Sequence, residues 1–222
     1  MIVYGSSLSP FVRKVLAYGA EKGIEMELVA TRPGDRSAEY IEASPFGKMP
    51  GFRHPGGGEG GGDFCLSDSS AIIAYLEALQ PEPNLIPAEP RARGRTIWYD
   101  EFGDTILMGC GGRMFFNRIV GPRFLGVAGD EAIAVKAECE ELPPILDYLE
   151  SVISESGYLV EDRLTLADLA VASPFVNLRH LGIAPEPGRH PKLAAYVEAM
   201  LARPSFAPWI ERETALLERT AA

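Results

Sequence analysis

Three serines stand near the start of the chain, where an apolar strand pattern gives way to an amphipathic helix. Residues 1–4 predict the strand, and Ser9 followed by Pro10 is a favourable helix N-cap with a favourable first helical residue. A helix that begins there points free backbone N–H groups and the positive end of its dipole at whatever lies in front of it. Because Ser6, Ser7 and Ser9 can also donate hydroxyl protons, we expect this turn to bind an anion such as a substrate thiolate.

A second polar helix start follows at residues 67–70, which read Ser-Asp-Ser-Ser. Apolar residues recur at helical spacing behind it, which predicts an amphipathic helix. One N-cap needs only one side chain. The surplus hydroxyl and carboxylate groups are therefore candidates to contact a ligand.

Composition argues against several other functions. The net charge is −10 and no basic stripe is present, which argues against nucleic-acid binding. The three cysteines form no Cys-x-x-Cys pair and the three histidines are scattered, which argues against a metal site or a disulfide framework. No apolar run is long enough to span a membrane and no secretory signal opens the chain. We therefore expect a cytoplasmic protein that binds neither membrane nor metal.

The first 80 residues predict a small α/β domain. Its elements are a strand at 1–4, a helix from Pro10 ended by Gly23, a strand at 25–29, a helix at 37–43, and strands at 48–52 and 64–66 before the helix at 68–79. We expect the first helix to expose Arg13, Lys14 and Glu21 to water. Pro50 belongs at an edge, at a first strand position or beside a cis bond, because proline cannot donate to a strand ladder.

A glycine-rich segment, residues 55–63, separates the last two of these strands. It predicts an enlarged hairpin tip and not a phosphate-binding loop, since no strand leads straight into it and no Gly-Lys-Ser/Thr ends it.

Residues 81–90 contain four prolines and predict a semi-rigid linker between a domain at 1–80 and an all-helical domain at 91–222. The predicted helices are 91–117, bent near the glycines at 109–112; 130–154, interrupted at Pro143 and Pro144; one that begins with a Thr165/Asp168 capping box; and two more at 191–202 and 205–218.

Taken in this order, the motifs resemble those of the cytosolic glutathione S-transferase family, in its serine-containing, bacterial-like form. The resemblance extends over nearly the whole chain and is carried by residues 9–15, 44–50, 68–76 and 164–168, with a further familiar ending at 203–206. It implies a thioredoxin-like α/β N-terminal domain, an all-α C-terminal domain and a homodimer.

The same resemblance implies a glutathione site. Ser9 would donate its hydroxyl to the glutathione sulfur, with Ser6 and Ser7 as open alternatives. The other residues that it assigns to glutathione are Phe11 beside Ser9, Lys48 at the glycyl carboxylate, Met49 at the cysteinyl backbone, Pro50 as a cis-proline, and Asp68 with Ser69 at the γ-glutamyl end.

A hydroxyl that donates to sulfur favours the thiolate, which is the nucleophilic form of a thiol. The function that we expect is conjugation of glutathione, as co-substrate, to small hydrophobic electrophiles. The resemblance places the electrophile near the long helix of the second domain, beside Trp98, Phe102, Met108, Arg113 and Phe116.

Two other functions stay open at this point: a glutathione-dependent isomerase or dehalogenase, and a non-catalytic interaction protein that keeps the fold. Ser9 stands where the redox branches of the family have cysteine, which disfavours mixed-disulfide chemistry. Asp68 is one methylene shorter than the usual glutamate, which would weaken the contact with the γ-glutamyl amine. The signature of the maleylacetoacetate isomerase branch is not matched, since Leu8 and Pro10 replace its cysteine and tryptophan.

Overall fold

The structure is a computed structural model that describes residues 1–32 and 34–220. The chain divides into two compact units, Met1–Leu85 and Ile86–Ala222.

The first unit is a four-stranded mixed sheet with three helices. In chain order its elements are β1 (Ile2–Gly5), α1 (Pro10–Glu21), β2 (Glu27–Ala30), α2 (Ala38–Ala43), β3 (Gly51–His54), a 3₁₀ turn (Glu59–Gly61), β4 (Phe64–Ser67) and α3 (Ser69–Leu79). The strand order is β2-β1-β3-β4, with β1 parallel to β2 and antiparallel to β3. This arrangement confirms the predicted thioredoxin-like domain.

Strand β1 lies inside the sheet and is covered on both faces. Successive side chains of a strand point to opposite sides of the sheet, so two neighbouring buried residues indicate this. Val3 and Tyr4 are both buried. On one face Tyr4 packs against Tyr40 of α2, with ring centroids 6.4 Å apart. Ala43 and the partly buried Met49 complete this small apolar cluster, so α2 and the residues before β3 share one core.

Helix α1 is more deeply buried than its pattern predicts. The expectation that Arg13 and Lys14 face water is wrong, since their exposed fractions are 0% and 1%. Long aliphatic stems allow such burial when the charged heads find partners. Arg13 Nη1 donates to the carbonyl oxygen of Ser7 at 2.7 Å, and Lys22 Nζ lies 2.6 Å from Glu77 Oε2 of α3.

The second unit is helical throughout. Its α-helices are α4 (Pro90–Glu101), α5 (Met108–Phe115), α6 (Glu131–Lys136), α7 (Leu142–Val152), α8 (Leu166–His180), α9 (Pro191–Leu201) and α10 (Ala207–Arg219), and π-helical segments lie at Phe102–Leu107, Phe116–Leu125 and Ala137–Glu141.

The sequence predicted a bend of the first long helix near the glycines at 109–112. The departures from α-helical geometry lie elsewhere. Those glycines lie within α5. One π-helical segment begins next to Gly103, at which an added Cβ would lie 2.7 Å from the carbonyl oxygen of Ala170 in α8. The other contains Pro122, which removes a backbone donor. The interruption at Pro143 and Pro144 is confirmed, because both lie in the first turn of α7 directly after a π-helical segment.

Helix α8 forms the core of the second unit, since all its residues from Leu166 to Leu178 are buried. The predicted capping box at its start is confirmed. Asp168 accepts hydrogen bonds from the backbone N–H of Thr165 at 2.9 Å and of Leu159 at 3.0 Å. Burial outweighs these bonds and raises the pKa of Asp168 to about 6.

Candidate functional site

The register of the sheet brings three sequence motifs to one edge. Tyr4 pairs with Gly51 across β1 and β3, and Gly51 pairs with Ser67 across β3 and β4. The serine turn directly follows β1, Pro50 directly precedes β3, and Asp68 directly follows β4. The three motifs, which lie about forty and twenty residues apart in the chain, are therefore neighbours in the fold, as the order of strands requires.

Gly5 allows two of these segments to approach each other closely. Its φ is +155°, and an added Cβ would lie 2.6 Å from Val12 Cγ2 and 3.5 Å from Met49 Cβ. A side chain at this position would clash with Val12 of α1, while its Cβ would lie in ordinary contact with Met49. Glycine is therefore required where the serine turn meets Met49.

The turn itself is closed by backbone and hydroxyl hydrogen bonds. Ser9 N donates to the carbonyl oxygen of Ser6 at 2.9 Å, and Leu8 N donates to Ser6 Oγ at 3.3 Å. Ser9 is the N-cap of α1, as predicted, with Oγ 3.5 Å from Val12 N. Ser7 is buried, with 6% of its surface exposed, whereas Ser6 and Ser9 are partly exposed.

Two buried cations of α1 contact the residues around the candidate site, and the sequence pattern predicted neither contact. Arg13 holds the serine turn through the carbonyl of Ser7, and Lys14 Nζ lies 3.5 Å from Ser70 Oγ in the first turn of α3. A signal was present in the sequence, because cations in the first turns of a helix oppose its dipole and need another reason to be there. Here they connect α1 to the turn in front of it and to the helix beside it.

The loop before β3 is closed by a single side chain. Ser44 Oγ donates to the carbonyl oxygen of Lys48 at 2.7 Å and accepts from Lys48 N at 3.0 Å. The Met49–Pro50 peptide bond is cis, as the resemblance implied. Pro50 precedes β3, which begins at Gly51, so the predicted strand at 48–52 starts three residues too early.

Asp68 is the N-cap of α3 in an unusual conformation. Its φ is +81°, a region that side chains other than glycine seldom adopt. One carboxylate oxygen, Oδ1, accepts from Ser70 N at 3.0 Å and from Ala71 N at 3.1 Å. Asp68 is exposed and Ser69 is buried. Strained backbone of this kind tends to occur at functional sites.

Two other residues of the first unit, Phe11 and Lys48, were also predicted to contact glutathione. Phe11 is partly exposed in the first turn of α1, and Lys48 is exposed. No side-chain hydrogen bond of Lys48 is formed with a described residue.

The structure does not bring the five predicted residues of the helical unit together. Trp98 and Phe102 stack with ring centroids 5.4 Å apart, and Phe102 also packs on Tyr148 at 5.5 Å. Arg113 pairs with Glu141 of the neighbouring helical stretch, Met108 is partly buried and Phe116 is exposed. Eighteen residues of helix separate Trp98 from Phe116, or about 27 Å at 1.5 Å per residue. Their shared role in one electrophile pocket stays a prediction.

The edge of the sheet therefore presents two helix N-termini, several hydroxyls and one exposed carboxylate. Such a set suits a small zwitterion, because hydroxyls at a helix N-terminus can donate to a carboxylate and the Asp68 carboxylate can accept from an amine. Within residues 1–32 and 34–220, no group of three or more His, Cys, Asp or Glu side chains is placed to hold a metal ion.

Comparison with known proteins identifies the family. The model of the glutathione S-transferase N-terminal domain matches residues 3–84, and that of the glutathione S-transferase C-terminal domain matches residues 129–213. Glutathione S-transferase 3 from Zea mays is 30% identical over 92% of this chain and 90% of that protein. The chain belongs to the glutathione S-transferase family.

Two further members of the glutathione S-transferase family support this. A glutathione S-transferase from Hyoscyamus muticus is 29% identical over 95% of this chain and 98% of that protein. The structure of a glutathione S-transferase from Methylobacterium radiotolerans in complex with glutathione sulfonate aligns with a TM-score of 0.72, at 26% identity over 94% of this chain and 93% of that one. The chain is therefore a glutathione S-transferase enzyme with glutathione as its co-substrate. No helix in the described part of the chain could cross a membrane.

The positive φ of Asp68 predicts an unusual order of stability. Alanine at this position loses the N-cap and keeps the strained backbone, so the free energy of unfolding should fall by about 1–3 kcal/mol. Glycine also loses the carboxylate, but it tolerates positive φ and is a better N-cap than alanine. Urea unfolding should therefore show Asp68→Gly to be clearly more stable than Asp68→Ala.

Asp130 provides the matched control. It caps α6 through the same two kinds of bond, to Ala132 N at 2.9 Å and Ile133 N at 3.2 Å, but its φ is −101°. The gap between the glycine and alanine variants should be smaller at Asp130. An equal gap at the two positions would show that backbone strain at Asp68 contributes nothing.

Proposed function

We propose that this chain conjugates glutathione to small hydrophobic electrophiles, a detoxifying reaction, with the Ser9 hydroxyl stabilising the thiolate. The observation that carries the proposal is the pairing of Tyr4, Gly51 and Ser67. It brings the N-cap of α1, the cis Met49–Pro50 bond and the N-cap of α3 to one edge of the sheet.

Ser9 is the serine that best fits contact with sulfur. Its oxygen accepts from Val12 N, and its hydroxyl donates to no described residue, so the proton is available to a thiolate. Ser7 is buried, whereas Ser6 lies before the helix and not at its N-cap. Ser9 also stands directly at the positive end of the α1 dipole.

Simple energetics show that Ser9 and the helix suffice for activation. A hydrogen bond to a charged group is worth about 1.5–3 kcal/mol and a helix N-terminus about 0.3–1 kcal/mol. At about 1.4 kcal/mol per unit, these effects lower the pKa of a thiol from about 8.5 to about 6–7. About half or more of the bound glutathione would then be thiolate at neutral pH, so the protein needs no general base.

Glutathione would be held along the same edge. We assign Lys48 to the glycyl carboxylate, Met49 to the cysteinyl backbone and Ser69, at the N-terminus of α3, to the γ-glutamyl carboxylate. Asp68 keeps Oδ1 for its cap, and Oδ2 accepts from no described residue, which leaves it for the γ-glutamyl amine.

Substitution of Ser9 tests the mechanism. In Ser9→Ala, kcat/KM for conjugation should fall about 10- to 100-fold, which corresponds to the loss of one hydrogen bond to a charged sulfur. Titration of thiolate absorbance should show the pKa of bound glutathione rising towards about 8.5. Steady-state kinetics with an aryl halide as electrophile measure the first effect.

Ser6→Ala and Ser7→Ala are the controls and should keep nearly normal rates. Full activity of Ser9→Ala would reject the role of Ser9. A loss confined to Ser6→Ala or Ser7→Ala would assign the sulfur contact to that residue instead.

Glutathione alone should stabilise the protein. At 100 times Kd the expected gain is about 2.7 kcal/mol, which shifts the melting temperature by several degrees. Differential scanning fluorimetry in millimolar glutathione measures it, with S-methylglutathione as a ligand that has no ionisable thiol. Lack of any shift would favour a non-catalytic interaction protein, whereas a shift without conjugation would favour an isomerase or dehalogenase.

We also propose that the chain forms a homodimer through Phe46. This side chain is 90% exposed, between α2 and β3, and is the most exposed large apolar residue described. Burying a phenylalanine gains about 2 kcal/mol, and a two-fold interface counts it twice. An exposed ring of this kind is costly to leave in water, which supports a second copy as the partner.

Phe46→Ser should therefore raise the dimer dissociation constant about a thousandfold, since about 4 kcal/mol is lost in total. Sedimentation velocity over a concentration series measures the change. Leu79→Ser, at an exposed apolar residue of α3, is the control and should leave the dimer intact. A monomeric wild-type chain, or an unchanged Phe46→Ser dimer, would contradict the proposal.

A further inference from the structure

Arg53 of β3 joins three segments of the first unit. Its Nη2 donates to Glu42 Oε2 at 2.7 Å and approaches the carbonyl oxygen of Glu39 at 3.5 Å, both in α2. Its Nη1 donates to Asp63 Oδ2 at 2.9 Å. Asp63 in turn accepts from Gly56 N at 3.2 Å through Oδ1. One guanidinium therefore connects α2, the sheet and the base of the glycine-rich segment.

The charges of this cluster reinforce each other. Hydrogen bonds from Arg53 and from Gly56 N hold the pKa of Asp63 below its usual value. The Arg53 side chain is only 14% exposed, whereas Glu42 and Asp63 are 61% and 37% exposed. The guanidinium is thus largely covered while its partners reach it from the surface. Charge-assisted bonds of this kind are shorter and stronger than neutral ones.

Helix α2 needs such contacts to keep its place. It has six residues, fewer than a helix needs to be stable by itself. Only Tyr40 and Ala43 of α2 are buried. The position of α2 on the sheet therefore depends on the apolar contacts of Tyr40, Ala43 and the partly buried Ile41, together with the bonds of Arg53.

The loop at residues 44–50, to which we assign contacts with glutathione (the glutathione loop), in turn depends on α2. Met49 packs in the same apolar cluster as Tyr40 and Ala43. Ser44, directly after α2, fixes the backbone of Lys48 with two hydrogen bonds. Any movement of α2 away from the sheet would thus displace both Lys48 and Met49.

We propose that Arg53, Glu42 and Asp63 are positioning residues for glutathione binding: their ion pairs hold α2 on the sheet and so keep residues 44–50 in the binding conformation. The inference rests on the proposed function of this loop. None of the three residues touches the reacting atoms. Their effect is to raise the fraction of the protein that can accept glutathione, and the apparent affinity rises with that fraction.

Replacement of Arg53 by glutamine tests the proposal. KM for glutathione should rise about fivefold, the size expected for the loss of two partly exposed ion pairs, while kcat at saturating glutathione stays within about twofold. The ratio of the variant KM to the wild-type KM should fall towards one in 1 M NaCl, because salt screens the pairs that only the wild type has. Hydrogen exchange should become faster in residues 38–43.

Arg118 provides a matched control in the helical unit. It also joins two carboxylates, Glu131 at 2.7 Å and Glu138 at 2.6 Å, and its side chain is 22% exposed. Arg118→Gln should leave KM, kcat and exchange in 38–43 unchanged. Glu42→Gln and Asp63→Asn should each raise KM by less than Arg53→Gln, since each removes one pair.

The outcomes separate this inference from the proposed function. A wild-type chain without any response to glutathione would reject the proposed function itself. A normal wild type with an unchanged Arg53→Gln KM would reject only the positioning role. A raised KM without faster exchange in α2, or with a ratio that salt does not change, would also reject it, because the effect would then not pass through α2 or through charge.

Discussion

Pairing of β1 with β3 is the constraint on which the site depends. Side chains alternate across a strand, so a slip of one residue would turn Tyr4 away from α2 and Val3 towards it. The same slip would move the serine turn away from Pro50 and Asp68, because all three follow or precede paired residues directly. One register therefore specifies both the packing of the core and the position of the candidate site. A change of register that alters the packing of the core would therefore also displace the three motifs at the edge of the sheet.

Buried cations give this unit its second constraint. Arg13 and Lys14 lie on α1 and Lys22 directly follows it, and all three have almost no exposed surface. Each is expensive to bury and needs partners, and their bonds reach Ser7 in front of α1 and Ser70 and Glu77 of α3. Arg13 and Lys14 lie near the N-terminal end of α1, where their positive charge adds to the field of its dipole.

Local features of the structure could be predicted from sequence, and features set by distant contacts could not. Ser9 as N-cap, Gly23 after α1 and the capping box at Thr165 depend on side chains within four residues, and the structure confirms them. The burial of Arg13 depends on surroundings that no local pattern contains. Gly103 shows the same limit, since the helix deviates where it meets α8 and not where glycines are frequent. The candidate site could be predicted from the sequence because its residues lie at the ends of helices and strands. The ion pairs of Arg53 could not, because they join charges from separate segments of the chain.

The glycine-rich segment has a consequence for engineering the protein. Gly56 N and Asp63 Oδ1 close its base, and Gly58 N donates to the carbonyl oxygen of Gly62 at 2.8 Å just inside it. Residues 59–62 are exposed beyond this clasp. Because the length of a loop costs little free energy once its ends are held together, this tip is a place where a peptide tag or a small domain can be inserted. Both hydrogen bonds lie between the tip and Arg53, so the enzyme could carry cargo there while the Asp63–Arg53 pair stays in place.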